Sequence, residues 1–126
     1  MAATNIESFE FDNLETGRFP SHQDTRVLIS GQNLTRSTLL GKITASGKFT
    51  QWDSGGAGGI EIPNAILSRD ADASAGDAAC LIYTFGEFDE NALTLMSGDV
   101  LTNALRETLR DAGIYLVKGQ NAVQGV

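Results

Sequence analysis

Cysteine, histidine and tryptophan each occur once in this chain, and proline only twice. A lone Cys80 cannot close an internal disulfide, and a lone His22 leaves a transition-metal site short of its usual ligands. Neither a covalent nor a zinc staple is expected, and no metal or cofactor site is predicted. Positive charge is scarce as well: nine Lys and Arg stand against 16 Asp and Glu, a formal charge of -7. No window gathers enough basic side chains to neutralise a string of phosphates, so nucleic acid is excluded as an expected partner. Long apolar runs are missing too. No segment approaches the length that crosses a bilayer, and "MAATNIESFEFDNLETG" lacks the basic start and apolar run of a secretory signal. The expectation is synthesis in a cytosol-like compartment and no membrane partner.

What is present is the material of one soluble domain. Hydrophobic residues make up 41% of the 126 and charged residues 20%, which is ordinary globular usage and enough for a single core. Residues 1–25 mix polar side chains with Phe9, Phe11 and Phe19 and show no helical period, so they read as an extended arm. Phe9, Phe11, Leu14, Phe19 and Pro20 are its candidate docking residues, because a tail that only solvates has no use for apolar anchors. A first strand packed on its own domain is the competing reading of the same segment. Residues 26–118 form the expected domain and 119–126 a frayed tail.

Within that domain "RVLIS" is a β-branched and aliphatic run ended by the turn residues "GQN", and "TLLGKIT" and "KFTQW" flank a short glycine turn as a hairpin. "IEIPNAILS" alternates Ile60 and Ile62 around Glu61 before Pro63, which belongs at an edge or a bend. "CLIYTFGEF" is the most apolar strand. Leu101, Leu105 and Leu109 then recur every four residues, with Ala104, Thr108 and Ala112 beside them, as on one face of a helix. Asp99 is placed to cap its N-terminus and Gly113 its C-terminus. "IYLVK" adds a last strand. Short strands followed by one C-terminal helix predict a β-rich α+β domain rather than alternating α/β.

Motifs that carry chemistry fail one by one. "GGAGGIEIP" at 55–63 has neither the lysine nor the following helix that a phosphate loop requires, so its glycines read as a bend between strands. Asp70, Asp72 and Asp77 resemble a calcium loop until the positions are counted: the sixth residue from Asp70 is Ala75 and the twelfth Leu81, where Gly and Glu are needed. His22 is the one general base of its type and no "GxSxG" elbow is present, so no catalytic residue is assigned and an enzyme is not expected. Arg36, Lys42 and Lys48 read as surface charge, and Cys80 as a buried thiol. Trp52 fits either a core or an interface. The competing function is a small ligand-binding or enzymatic β domain that uses residues 55–59 (Gly55 and Gly59 at its ends) and the 70–77 turn as a pocket rim.

"GQNLTRSTLLGKITASGK" from Gly31, "AILSRDADAS" from Ala65, "CLIYTFGEFDENAL" from Cys80 and "LRETLRDAGIYL" from Leu105 together resemble the head decoration proteins of tailed phages, the lambda-type capsid cement family. The order and spacing of the four segments carry the resemblance, from about Thr25 to Leu116. Ser37 departs from it where a glycine is expected, as do Pro63 and Asn64 where a more apolar lead-in is expected. The resemblance implies a β-rich domain that binds the outer surface of the expanded phage head as a homotrimer and stabilises it against internal DNA pressure. The partners would be the major capsid protein and the chain itself, with an N-terminal arm that orders on the shell. Another phage virion component built on the same domain is the remaining alternative.

Overall fold

The computed structural model describes residues 14–16 and 20–118. The elements follow one another as β1 (His22–Leu28), β2 (Asn33–Leu34), β3 (Leu39–Lys42), β4 (Phe49–Gln51), β5 (Pro63–Leu67), β6 (Ala71–Asp72) and β7 (Ala78–Asp89). A 3₁₀ turn (Glu90–Ala92), helix α1 (Asn103–Asp111) and strand β8 (Ile114–Val117) complete the order. The expected class holds: a strand-rich domain with one C-terminal helix among the described residues.

The strands close into a ring. β1 lies beside β4, β4 beside β3, β3 beside β5, β5 beside β7, and β7 returns to β1. Most of these contacts are antiparallel, and the closing β1–β4 contact is parallel and spans a single pair, Leu28 with Phe49. β2 and β6 form a separate two-stranded ribbon. Closure pairs β3, β5 and β7 on both sides, while β1 and β4 meet only at Leu28 and Phe49.

β7 is the longest strand, at 12 residues, and it does two jobs. Its first part pairs with β1 and β5 inside the barrel, whereas Gly86 to Asp89 run beyond the barrel and pair in parallel with β8. Side chains alternate across this sheet, as strand geometry requires. Leu40, Ala65, Leu67 and Ile82 point into the barrel with Leu28, Phe49, Ala73 and Cys80. Their sequence neighbours Leu39, Ile66 and Tyr83 point the other way, into a second cluster with Leu14, Trp52, Phe88, Leu109 and Ile114. Runs such as "NAIL" and "CLIY" are continuously apolar because both faces of the sheet are covered.

Several local expectations change at this level. β1 begins at His22, upstream of the boundary expected at residue 26, because its N-terminal half pairs with β7 up to Phe85. Ile60 and Ile62 are not in a strand. The chain turns there, with the Ile62 amide donating to the Gly59 carbonyl and the Asp53 amide to the Ile60 carbonyl, and the strand starts at Pro63, a first position that needs no ladder donor. Asp99 does not cap the helix. Thr102 does, accepting from the Leu105 amide at 3.2 Å, because it directly precedes the first helical residue. Asp99 instead accepts from the amide and hydroxyl of Ser54. Gly113 takes the expected left-handed C-terminal position at φ +100°. Leu109 is fully buried and Leu101 and Leu105 pack on the same cluster, while Ala104 and Ala112 are exposed, so the apolar stripe is narrower than its spacing predicts.

Ser37, the position where the resemblance calls for glycine, has a φ of +82°, the one described non-glycine residue in that region. A side chain is strained there by roughly 1 kcal/mol or more. The surroundings offset it: the Ser37 hydroxyl lies 3.0 Å from that of Thr94, its amide donates to Leu67 and its carbonyl accepts from Thr94.

Candidate functional site

The described chain begins where the N-terminal segment meets β7. The outer part of β7 has β8 on one side and residues 14–16 on the other, with Glu15 bridged antiparallel to Phe88. The Asp89 amide donates to the Leu14 carbonyl at 2.8 Å and the Thr16 amide to the Glu87 carbonyl at 3.2 Å. The Thr16 hydroxyl donates to Glu87 Oε1 at 2.5 Å. Leu14 is fully buried among Trp52, Tyr83, Phe88 and Leu109, so its burial stabilises by roughly 1.5–3 kcal/mol. Residues 14–16 belong to the folded domain in packing terms.

The exposed Glu15 side chain meets polar groups, one of them the hydroxyl of the core residue Tyr83. The Tyr83 hydroxyl donates to Glu15 Oε2 at 2.7 Å, and Ser21 Oγ donates to Glu15 Oε1 at 2.9 Å. Arg36 Nη1 donates to the Tyr83 hydroxyl at 3.0 Å and to the Ser68 carbonyl at 2.8 Å, and its guanidinium carbon stands 5.7 Å from the centre of the Tyr83 ring. Arg36 Nη2 is 3.9 Å from Glu15 Oε2. Burial pushes the Tyr83 phenol above its ordinary value, its bond to Glu15 adds to that, and Arg36 opposes it. The tyrosine therefore stays protonated and serves as a donor to the carboxylate. The Tyr83 ring is buried and tilted against Phe88 at 4.9 Å, while Glu15 and Arg36 keep part of their surface in solvent.

The sequence-predicted docking residues separate into three groups. Phe9, Phe11 and Phe19 lie outside the described residues. Leu14 is a core side chain, and Pro20 is exposed. Trp52, for which core and interface stood equal, is fully buried: its indole N–H donates to the Glu61 carbonyl at 2.8 Å and its ring fills the helix-side cluster, leaving no surface for direct contact with a partner. Glu15 and Tyr83 escaped the sequence reading, which took Arg36 as surface charge only. Only the tertiary fold brings together Glu15 and Tyr83, 68 positions apart, and Arg36 and Tyr83, 47 apart.

The pocket-rim alternative finds little support in the same geometry. Residues 53–62 are tied by backbone bonds to Thr44 and by Ser54 to Asp99. Gly59, at φ +112°, lies so close to the neighbouring hairpin that a Cβ would run into the Lys42 carbonyl and the Thr44 hydroxyl. Gly59 thus serves the close approach of two backbone segments. The aspartates of the 70–77 turn are engaged separately. Asp70 accepts from the Arg36 amide, Asp72 from Ser74, and Asp77 from the Ser30 amide and from Lys48 Nζ at 2.6 Å. Ser74 lowers the Asp72 pKa, and Lys48 with the Ser30 amide lowers that of Asp77, as expected for carboxylates used as hydrogen-bond acceptors. Among the described residues no group of three or more His, Cys, Asp and Glu is placed to hold a metal ion. Cys80 is buried inside the barrel, and desolvation pushes its thiol pKa up, away from the reactive thiolate. No described helix is long and apolar enough to cross a membrane.

A model of the Bacteriophage lambda head decoration protein D family matches residues 16–114, most of the chain. No curated protein matches it.

Proposed function

Because the chain belongs to the family of the bacteriophage lambda head decoration protein D, we propose that it coats the outer surface of the expanded phage head as a homotrimer and holds the shell against the pressure of packed DNA. The match over residues 16–114 carries this reading. Capsid decoration is the family's role. The trimer, the arm and the resistance to internal pressure are what the resemblance to that family implies for this chain.

A protein that binds the assembled shell and not its separated subunits shifts the balance toward assembly by mass action. The means of attachment in this chain would be residues 1–13, which precede the buried Leu14 and could reach up to about 45 Å if extended. An extended segment adds to an exposed sheet edge of the major capsid protein through main-chain hydrogen bonds, with alternate side chains setting register. Phe9 and Phe11, two apart, would then present the same face, and Phe19 and Pro20 would add apolar contacts to the capsid. Three arms on one trimer raise the effective concentration of each, so arms that are weak singly hold tightly together. The net charge of -7 opposes association at low ionic strength, so trimerisation should strengthen as salt rises toward physiological levels.

The test is a deletion that stops short of the core. Removing residues 1–13 keeps Leu14 and its bonds to β7, and the shortened protein should fold, sediment as a trimer in physiological salt and fail to coat expanded heads that lack their decoration protein. Saturation of heads by the shortened protein would refute the arm, and failure of the intact protein to bind heads would refute decoration itself.

A further inference from the structure

We propose that Glu15, Tyr83 and Arg36 form a latch that sets where and in which direction the N-terminal arm leaves the domain, which makes them positioning residues for capsid attachment; the inference rests on the decoration reading above. Its basis is a division of labour within one side chain. The Tyr83 ring fills the helix-side core against Phe88, a task that phenylalanine would perform equally well. The hydroxyl contributes nothing to that packing. It is spent on Glu15 at 2.7 Å and on Arg36 at 3.0 Å.

Arg36 is held from the barrel side at both ends, by the Ser68 carbonyl on its guanidinium and by Asp70 on its own amide. The Glu15 carboxylate is held at both oxygens, by Tyr83 and by Ser21. A chain of polar contacts therefore runs from the end of β5 to the residue next to the buried Leu14. Leu14 fixes the depth of the segment, and Glu15 fixes its rotation, since a side-chain hydrogen bond is directional and apolar packing is not.

Magnitudes separate this role from plain stabilisation. Glu15 and Arg36 are partly solvated, so their pairing contributes little to global stability. Residues 14–16, by contrast, are held to β7 by the two backbone bonds of a single bridge, by the Thr16 hydroxyl on Glu87 and by the buried Leu14, and such short attachments open locally far more often than the whole domain unfolds. A contact that is minor for the fold is one of the few that close this segment.

The experiment uses the full chain carrying Tyr83→Phe, and separately Glu15→Gln, which keeps the core ring untouched should the first variant fold poorly. Amide hydrogen exchange is read at Thr16 and Asp89, whose N–H groups bond across the segment, and coating is read as the concentration that half-saturates expanded heads. Exchange at both amides should rise about three- to tenfold, the ordinary worth of one hydrogen bond. Half-saturation should move up by a similar factor while the melting temperature falls by only a few degrees. Unchanged exchange would overturn the latch, and faster exchange with unchanged coating would overturn its role in attachment. An intact protein that does not bind heads would instead bring down the decoration reading, leaving the exchange result to judge the latch as a local device.

Discussion

The barrel interior and the helix-side layer share β3, β5 and β7 but are assembled in different ways. The buried residues of the barrel run from Leu28 to Ile82 and include Ala65, Ala73 and Cys80, with β1 and β7 closing that stretch on itself. The helix-side layer is built of larger pieces drawn from the whole chain: Leu14 from the N-terminal side, Trp52 from the hairpin, Tyr83 and Phe88 from β7, Leu109 and Ile114 from the C-terminal side. One core is made within a stretch of sequence, the other by joining its ends. The joined core is also where the N-terminal segment is attached, so the part of the molecule with the longest-range contacts carries the proposed function.

The largest effect should come from Trp52→Ala, which empties the biggest side chain in the joined core and orphans the Glu61 carbonyl. A cost of about 3–5 kcal/mol is expected, or a fall of well over ten degrees in melting temperature. Because β5 and β7 line both cores, the loss should appear as one earlier cooperative transition followed by far-UV dichroism. Two separated transitions would show that the barrel stands without its partner. Next in size is Leu14→Ala, expected to cost about 2–5 kcal/mol in urea unfolding, on a par with Leu28→Ala in the barrel. A cost within about 0.5 kcal/mol, as for surface positions, would break the claim that the joined core holds the N-terminal segment. Gly59→Ala puts a side chain at φ +112° against the β3–β4 hairpin and should cost about 1–3 kcal/mol while leaving the helix-side layer intact, as reported by the fluorescence of the single tryptophan.

The smallest effect is electrostatic and belongs to the barrel's outer turns. Asp72 and Asp77 have pKa values held below the ordinary 3.8, so what they contribute is present above that value and lost as pH falls through their lowered values in the fold. The melting temperature should therefore decline below about pH 4, and Asp77→Asn should make that decline shallower. A variant with the same acid profile as the parent protein would show that the Lys48–Asp77 pair, which is largely solvated, matters little.

Much of the domain was legible in the residues. The β3–β4 hairpin, the apolar β7, the helix with glycine behind it and the short final strand all follow from periodicity and turn chemistry, which act over a few residues. Legibility failed where a residue's role depends on a distant partner. The alternation of Ile60 and Ile62 suggested a strand, but Gly59 and the bonds to Asp53 turn the chain. Asp99 has the chemistry of a helix cap, but Thr102 sits closer and Ser54 takes the aspartate. Trp52 was ambiguous because a large aromatic suits core and interface alike until its neighbours are known.

Composition and local pattern alone determined that this chain is acidic and strand-rich with, among the described residues, a single closing helix, because charge balance and hydrophobic period are properties of the residues themselves. Only the tertiary structure decided that the strands close on themselves, that Trp52 is core, that residues 14–16 lie against β7, and that Glu15, Tyr83 and Arg36 meet. The physical reason is that each of these rests on hydrogen bonds or packing between groups tens of positions apart, and a side chain carries no mark of the distant partner that will satisfy it.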